Sequence, residues 1–389
     1  MYKIMTRNQI SIKGLEKFPL GKYEVASEIS HPDAIMLRSH KLAPEEIAPT
    51  VQAIGRAGAG VNNIPVETCT DRGIVVFNAP GANANAVKEL VIAGLMLASR
   101  DILGGIDFAK RLPATMDAAA MSKEVEAAKK DYAGTELAGK TLGIVGLGAI
   151  GSLVAETALI LGMKVIGYDP ALSVDAAWRL SRDIERMENM QSLLSKSDFV
   201  TLHLPVMEAT RNLINQDMVD SFKPGACLLN FSREKLVDTQ AVLSGLEGGK
   251  LAKYISDFPV PELQGRADVI QIPHLGASTE EAEENCAIMI ANQLIDFIEN
   301  GNIKNSVNFP NTTLERSGPY RIAICNKNVP KMLGQILSVL ADRDQNVADM
   351  INKSRGEIAY NLIDVEREPA VDLKEVLEAI DGVINVRIF

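Results

Sequence analysis

The chain predicts an α/β protein, with two doubly wound parallel sheets and a smaller C-terminal α+β unit, on three observations. Short apolar runs that end in polar or Gly-rich turns recur along the N-terminal part. A later run ends in Gly-x-Gly-x-x-Gly and opens a helical pattern. The C-terminal stretch from Gly318 alternates strand and helix signals in the order β-α-β-β-α-β.

In the N-terminal part, Ala34–Leu37 precedes Arg38-Ser39, Gln52–Arg56 precedes Ala57-Gly58-Ala59-Gly60, and Ile74–Phe77 precedes Asn78-Ala79-Pro80-Gly81. Strands that end in such loops belong to a parallel sheet, whose ligands collect at the carboxyl ends. Ala86–Arg100 reads as a strongly apolar helix. Asp107–Tyr132, rich in Ala and Lys, reads as helical and amphipathic, either an intersubunit arm or a surface helix of its own domain.

The next run, Leu142–Val145, leads into Gly146-Leu147-Gly148-Ala149-Ile150-Gly151 and a helix through Ser152–Leu161. A second run, Lys164–Tyr168, closes with Asp169. Gly146 allows the tight turn, Gly148 lets the backbone approach a pyrophosphate, and Gly151 lets helix and strand pack closely. Amides of the first turn, from Ala149 and Ile150 onward, then face the phosphates. Asp169 stands where a carboxylate accepts both ribose hydroxyls and repels a 2′-phosphate, which favours NAD over NADP. The runs Phe199–His203, Ala226–Asn230, Tyr254–Asp257 and Val269–Ile272 complete this sheet, which is Rossmann-like. A helix near Glu283–Ile298 comes next, and polar, turn-rich Asp296–Thr313 reads as the end of this body and a linker. Beyond it, strand Tyr320–Cys325, helix Pro330–Arg343, strands Val347–Ser354 and Glu357–Val365, helix Asp372–Ile380 and strand Val383–Phe389 form a ferredoxin-like βαββαβ unit.

A net charge of −10 argues against nucleic acid and anionic membranes as partners. Cys69, Cys227, Cys286 and Cys325 show no Cys-x-x-Cys spacing, which suits a reduced compartment and supplies no metal framework. Met1–Ile10 lacks a signal-peptide core, and Thr141–Ala155 is too short to span a bilayer. The expected location is cytoplasmic.

Three side chains at predicted strand ends are suited to chemistry. His274 follows Val269–Ile272 and Pro273, on a strand-to-helix turn. Glu262, after Asp257-Phe258-Pro259-Val260-Pro261, lies on the preceding loop of the same edge, within feasible reach of that imidazole. A carboxylate there raises the imidazole's proton affinity and suits it to exchange a proton with an alcohol or carbonyl. Arg233 follows Asn230-Phe231-Ser232, and a guanidinium at such a place grips a carboxylate bidentately. Taken singly, His274 reads first as a hydrogen-bonded structural residue and Arg233 as a surface salt-bridge arginine.

Taken together, Gly146–Gly151 with Asp169, Asn230–Arg233, Asp257–Glu262 and Pro273–Thr279 occur in an order that resembles the D-isomer-specific 2-hydroxyacid dehydrogenases. Ile54–Ile64 and Asn78–Gly81 match as well, and the C-terminal unit resembles an ACT domain. The resemblance implies a catalytic set of Arg233, Glu262 and His274. It also implies NAD contacts from Asp257, Phe231 and Gly276, with adenine-side contacts near His203, Pro205 and Thr210. A substrate carboxylate would be held by Gly58, Ala59, Gly60 and Val61, with Asn83 also in contact. Arg38, Ser39, His40, Lys41 and Arg56 are the donors best placed for a phosphate. The implied reaction is NAD-dependent oxidation of 3-phospho-D-glycerate, and its reverse, at the start of L-serine synthesis.

The implied domains are 1–86 with 284–312 for substrate, 87–283 for NAD, and 317–389 as the ACT-like unit, in a homodimer or homotetramer. Asn328 and Asn346 match asparagines that bind an L-serine effector. Lys331 replaces the usual glycine there, which points to a structural or assembly role instead. Two further departures are Glu234-Lys235 in place of glycines after Arg233 and a short Glu262–His274 spacing. The alternatives are another D-2-hydroxyacid dehydrogenase, of the glyoxylate/hydroxypyruvate reductase or D-lactate dehydrogenase type, and a non-enzymatic NAD-sensing protein.

Overall fold

The apolar runs become strands of three sheets in a computed structural model that describes residues 1–389, the side chain of Asp175 excepted. The first sheet is parallel, with β1 (Tyr2–Arg7), β2 (Tyr23–Ala26), β3 (Ala34–Leu37), β4 (Ala53–Arg56) and β5 (Val75–Phe77) in the order β2-β1-β3-β4-β5. The second contains β6 (Thr141–Val145), β7 (Lys164–Tyr168), β8 (Ile184–Arg186), β9 (Phe199–Leu202), β10 (Ala226–Asn230), β11 (Leu251–Ser256) and β12 (Val269–Gln271). Its strands are also parallel, ordered β12-β11-β10-β9-β6-β7-β8. The third is antiparallel, with β13 (Tyr320–Lys327), β14 (Val347–Arg355), β15 (Ile358–Val365) and β16 (Val383–Ile388) ordered β14-β15-β13-β16. The chain divides into two units, Met1–Asn83 with Glu280–Phe389, and Ala84–Thr279. Among the described residues no helix is long and apolar enough to cross a membrane.

In the first unit, β3 is buried along its whole length, as a central parallel strand must be. β1 and β2 lie toward the sheet edge, where Lys3, Arg7 and Glu24 interrupt the apolar pattern and hide these strands from a sequence reading. The helix Glu280–Asn300 crosses β4 at Gly55, where an added Cβ would sit 2.3 Å from Ile290 Cγ2. This helix runs past the predicted start of the linker and stops at Gly301, whose φ is +71°. The segment after Gly301 is no loose connection, since Ile303, Phe309 and Thr312 are fully buried. The polar composition misleads because Asn300 and Asn302 both donate side-chain hydrogen bonds to Asp296 Oδ1.

The third sheet belongs to this same unit. Helices Met332–Ala341 and Leu373–Glu378 accompany one face, with Ile336, Leu340, Leu373 and Leu377 packed on Ile322, Ile324 and Ile363. The other face, with Ala323, Cys325, Tyr360 and Leu362, joins the core that holds Phe297, Ile298 and Phe309. At the join, fully buried Arg321 on β13 makes a two-pronged ion pair with Asp364 on β15, at 2.6 and 2.8 Å. Arg321 also donates to Asn300 O at 3.1 Å, and Ser317 N donates to Asp364. Burial alone would raise the Asp364 carboxyl, but the Arg321 and Ser317 hydrogen bonds hold it below the usual range.

In the second unit, the strand order reverses between β6 and β9, which creates the switch point where α/β sheets bind ligands. Helix Ala84–Ser99 packs against this sheet through Gly94, where a Cβ would meet the Phe231 ring at 2.8 Å. The stretch expected to be helical holds two helices, Ile102–Arg111 and Ala118–Ala128. Pro113 forces Leu112 into an extended conformation, and Asp117 caps the second helix through the amides of Ala119 and Ala120.

The first unit yields two stability predictions. Asp364→Asn strands the buried Arg321 charge and is expected to cost about 3–5 kcal/mol. A urea midpoint equal to that of the unchanged chain rules this out. Lys331 sits at φ +76° before Met332–Ala341, a conformation that favours glycine. Lys331→Gly relieves that strain at some cost in chain entropy, for a net gain of about 0.5–1 kcal/mol; an unchanged or lower Tm counts against it.

Candidate active site

In the second unit the strand register sets Tyr168, Val145, Leu202, Asn230, Ser256 and Gln271 in one row across the sheet. The chain leaves each strand at that row. Gly146, Asp169, His203, Phe231, Asp257 and Ile272 therefore begin the loops of one carboxyl edge.

At its nucleotide end, Gly146 has φ +95°, and a Cβ there would lie 2.5 Å from His203 O. A Cβ on Gly151 would meet Gly146 O at 2.0 Å. At Gly148, by contrast, an added Cβ would meet nothing within 4 Å, and helix Ala149–Ile160 starts there without a side-chain cap. Open space beside uncapped first-turn amides fits a phosphate. Asp169 accepts hydrogen bonds from Leu147 N and Ala171 N, both at 2.9 Å, which fixes the carboxylate while each oxygen keeps acceptor capacity. It lines a cavity of about 680 Å³ with Leu147, Leu172, Trp178, Arg182 and Ile184. These residues fit a dinucleotide.

Other expected cofactor residues are committed to the protein itself. Burial depresses His203 to about 3, so its imidazole is neutral, with Nε2 3.0 Å from Thr201 Oγ1. Thr210 Oγ1 donates to Pro205 O at 2.7 Å and accepts from Met207 N, shaping that loop. The Phe231 ring is a core residue, leaving its backbone to face the edge.

Arg233, Glu262 and His274 are all exposed at this edge, after β10, between β11 and β12, and after β12. Asn230, fully buried, anchors the first turn by donating to Arg233 O and accepting from Ser232 N. The Glu262 carboxylate and His274 imidazole make no hydrogen bond to each other among the described residues. Instead His274 rests edge-on against the Phe258 ring, with centroids 5.0 Å apart. Its φ is +56°, an uncommon conformation for a side-chain-bearing residue. Asp257 holds it there. This carboxylate is 1% exposed and accepts Leu275 N at 2.7 Å and Gly276 N at 2.8 Å, while Asp257 O accepts His274 N at 3.0 Å. A Cβ on Gly276 would stand 3.0 Å from Asp257 Oδ2, so glycine is what allows the clamp.

The remaining candidates lie on the first unit. Arg7, Leu37 and Arg56 share one row at the end of β1, β3 and β4, and Arg38 follows Leu37. Arg56 Nε donates to Arg38 O at 3.1 Å, and its guanidinium lies against Gly58. Arg38 pairs with Glu283 at 2.5 Å and His40 with Glu46 at 3.0 Å, while Ser39 and Lys41 are exposed. The loop from Gly58 is pinned by Gly58 N to Arg56 O and by Asn78 Nδ2 to Ala59 O. Among the described residues the amides of Ala59, Gly60 and Val61 have no acceptor in the chain. Three successive free N–H groups beside Arg56 suit an anion. Asn83 ends the loop after Gly81 and is half-buried. In the C-terminal part, Asn328 and Asn346 are both exposed, and Asn328 Nδ2 donates to Gly356 O.

Sequence reasoning missed Arg7, which the parallel pairing of β1 carries to the arginine row, and Gln271, whose Oε1 accepts Val260 N at 2.6 Å. Only the alternating pattern of Tyr2–Thr6 signals the first, and nothing local signals the second. Among the described residues no group of His, Cys, Asp and Glu is arranged to hold a metal ion.

Comparison with known proteins gives this geometry its family. Residues 106–276 match the model of the D-isomer specific 2-hydroxyacid dehydrogenase NAD binding domain. The D-3-phosphoglycerate dehydrogenase of Methanocaldococcus jannaschii is 34% identical over 89% of this chain, which spans 64% of that protein's length. The Haemophilus influenzae protein of the same name is 32% identical over 88% of this chain and 82% of its own. A solved NAD+-bound 3-phosphoglycerate dehydrogenase from Entamoeba histolytica superposes with TM-score 0.59 at 26% identity, covering 79% of this chain and 98% of that one. The chain belongs to the D-isomer-specific 2-hydroxyacid dehydrogenase family and carries its NAD-binding domain.

Proposed function

We propose that the protein oxidises 3-phospho-D-glycerate to 3-phosphohydroxypyruvate with NAD, and reduces it in reverse, as the first step of L-serine synthesis. The observation that carries the substrate assignment is the arginine row on the first unit, where Arg56 Nε holds Arg38 O and the Arg56 guanidinium lies against the loop of free amides Ala59–Val61. Arginine recognises phosphate and carboxylate through paired N–H donors, and free loop amides suit the second anion of such a substrate. The names of the curated relatives point the same way.

In this reading Arg233 holds the substrate carboxylate and polarises the carbonyl oxygen. Bound NAD supplies the hydride acceptor. His274 takes the hydroxyl proton during oxidation and returns it during reduction, and Glu262 on the neighbouring loop favours the imidazolium. Asp257 acts through the loop, by fixing the His274 amide and the two residues that follow it. The C-terminal βαββαβ segment is read as an ACT-like module with an assembly role, in a cytoplasmic homodimer or homotetramer. Exposed Asn328 and Asn346 are the places to look for an L-serine response.

One observation favours a rival. Arg38 already has a carboxylate partner in Glu283, so a D-2-hydroxyacid dehydrogenase for an unphosphorylated acid needs no change at that residue. Arg38→Ala decides between them in an NADH-consumption assay. It is expected to raise KM for phosphohydroxypyruvate at least tenfold more than for hydroxypyruvate, a difference of about 1.4 kcal/mol. Equal effects on both substrates favour the rival, and NADH binding without turnover of any 2-oxo acid favours a sensor.

His274→Ala is expected to lower kcat by roughly 10²–10⁴ while NADH affinity, read by fluorescence, stays near that of the unchanged chain. Asp257→Asn sets an NH2 group against one loop amide, at a cost of about 1–3 kcal/mol. Its kcat should fall with little change in substrate KM, and unaltered kcat excludes the positioning role.

A further inference from the structure

The chain has a single tryptophan, Trp178, and leaves it 84% exposed, although a ring of that size gains much from burial. Trp178 ends the short helix Val174–Ala177 in the loop after β7, where Ser173 Oγ accepts Ala176 N at 3.1 Å and caps the turn. Trp178 N donates to Val174 O at 3.0 Å, so the two side chains stand four positions apart on one side of a closed turn. Val174 is 73% exposed as well. Both line the cavity of about 680 Å³ that Asp169 also lines. Leu172, Leu180 and Ile184 bound the same cavity and pack on the core of the second unit. Among the described residues lining it, Trp178 is the only aromatic one.

Sheet order decides which part of a dinucleotide reaches this cavity. The turn suited to phosphate, Gly146–Gly148, follows β6, which lies between β9 on one side and β7 on the other. Arg233, Glu262 and His274 belong to the loops after β10, β11 and β12, all on the β9 side. With the pyrophosphate at the β6 turn and the nicotinamide toward those three residues, the adenosine extends the other way, toward β7 and β8. This step rests on the proposed catalytic set for the direction of the nicotinamide, and on nothing about the substrate.

Adenine is flat and uncharged at neutral pH, and aromatic side chains bind bases by stacking on a π face. An indole held on a capped turn beside the cavity, with open surface to lose, is suited to that contact. We propose that Trp178 positions the adenine of NAD, the base stacking on the indole and burying it together with Val174.

With one tryptophan in the chain, intrinsic fluorescence reports this side chain alone. ADP-ribose carries the adenine and no nicotinamide. At saturation it should shield Trp178 from acrylamide quenching and shift its emission to shorter wavelength, whereas nicotinamide mononucleotide should do neither. In titration calorimetry, Trp178→Ala should weaken ADP-ribose binding roughly tenfold or more, and Trp178→Phe should restore most of the loss.

The proposal is overturned if bound ADP-ribose leaves the quenching of Trp178 unchanged, or if nicotinamide mononucleotide shields it equally. Full affinity in Trp178→Ala, or no recovery in Trp178→Phe, overturns it too. So does the absence of ADP-ribose binding at millimolar concentration, and a parallel NADH titration then tells a missing adenine contact from a missing cofactor site. The shielding measurement uses the unchanged chain, so it stands even where a variant fails to fold. No turnover is measured, which leaves the proposed reaction to its own tests.

Discussion

The chemistry assigned to the second unit depends on a carboxylate that, among the described residues, forms no ion pair. Asp257 is buried at the end of β11, and its oxygens are taken up by Leu275 N and Gly276 N. Hydrogen bonds to a charged acceptor are about twice as strong as neutral ones, which is what a left-handed histidine backbone needs to be held in place. His274 is thereby defined from behind, by its own amide on Asp257 O and by its neighbours on the Asp257 carboxylate. The exposed imidazole rests against the Phe258 ring. A fixed backbone with an unencumbered side chain is the arrangement a proton-transfer group requires.

The first unit uses a different device for the same end. Its arginines come from separate strands whose parallel register sets their ends in one row. Backbone carbonyls, not carboxylates, hold part of the cluster, since Arg38 O accepts from both Arg56 Nε and Asn63 Nδ2. Carbonyl anchoring orients a guanidinium without cancelling its charge. The helix Glu280–Asn300 lies under this edge and also meets the third sheet through Asn300 O and Arg321. One element thus ties the arginine row to the C-terminal segment within a single unit.

Much of this was legible in the sequence, and the parts that were not have physical reasons. Gly146, Gly148 and Gly151 announced their turn because each glycine answers a steric demand that the structure makes measurable. The C-terminal β-α-β-β-α-β order was legible because amphipathic periods and turns alternate cleanly there. The attachment of that segment was not. It rests on Arg321, Asp364 and buried asparagines, polar residues that a composition reading assigns to solvent. β1, β2 and β8 escaped because strands toward a sheet edge need no continuous apolar run. Asp257 was legible as a site residue through the family resemblance, but its partners lie 18 and 19 positions away and only a fold can reveal them.

The pair between Arg38 and Glu283 bears on how an anion is admitted to the first unit. Both side chains are more than a third exposed, so solvent screens their attraction and the pair is worth about 0–1 kcal/mol. A phosphate carries close to two charges and three acceptor oxygens, and two or more donors can share it. Exchanging Glu283 for such a group therefore costs little and gains more. The displaced carboxylate sits in the acidic first turn of its helix with Glu280 and Glu281, where the helix dipole stabilises it. Glu283 in this view is a placeholder that keeps the guanidinium extended at the sheet edge. On the proposed reading, an unphosphorylated acid would compete for Arg38 less strongly, and the ion pair would then act as a filter on substrate charge.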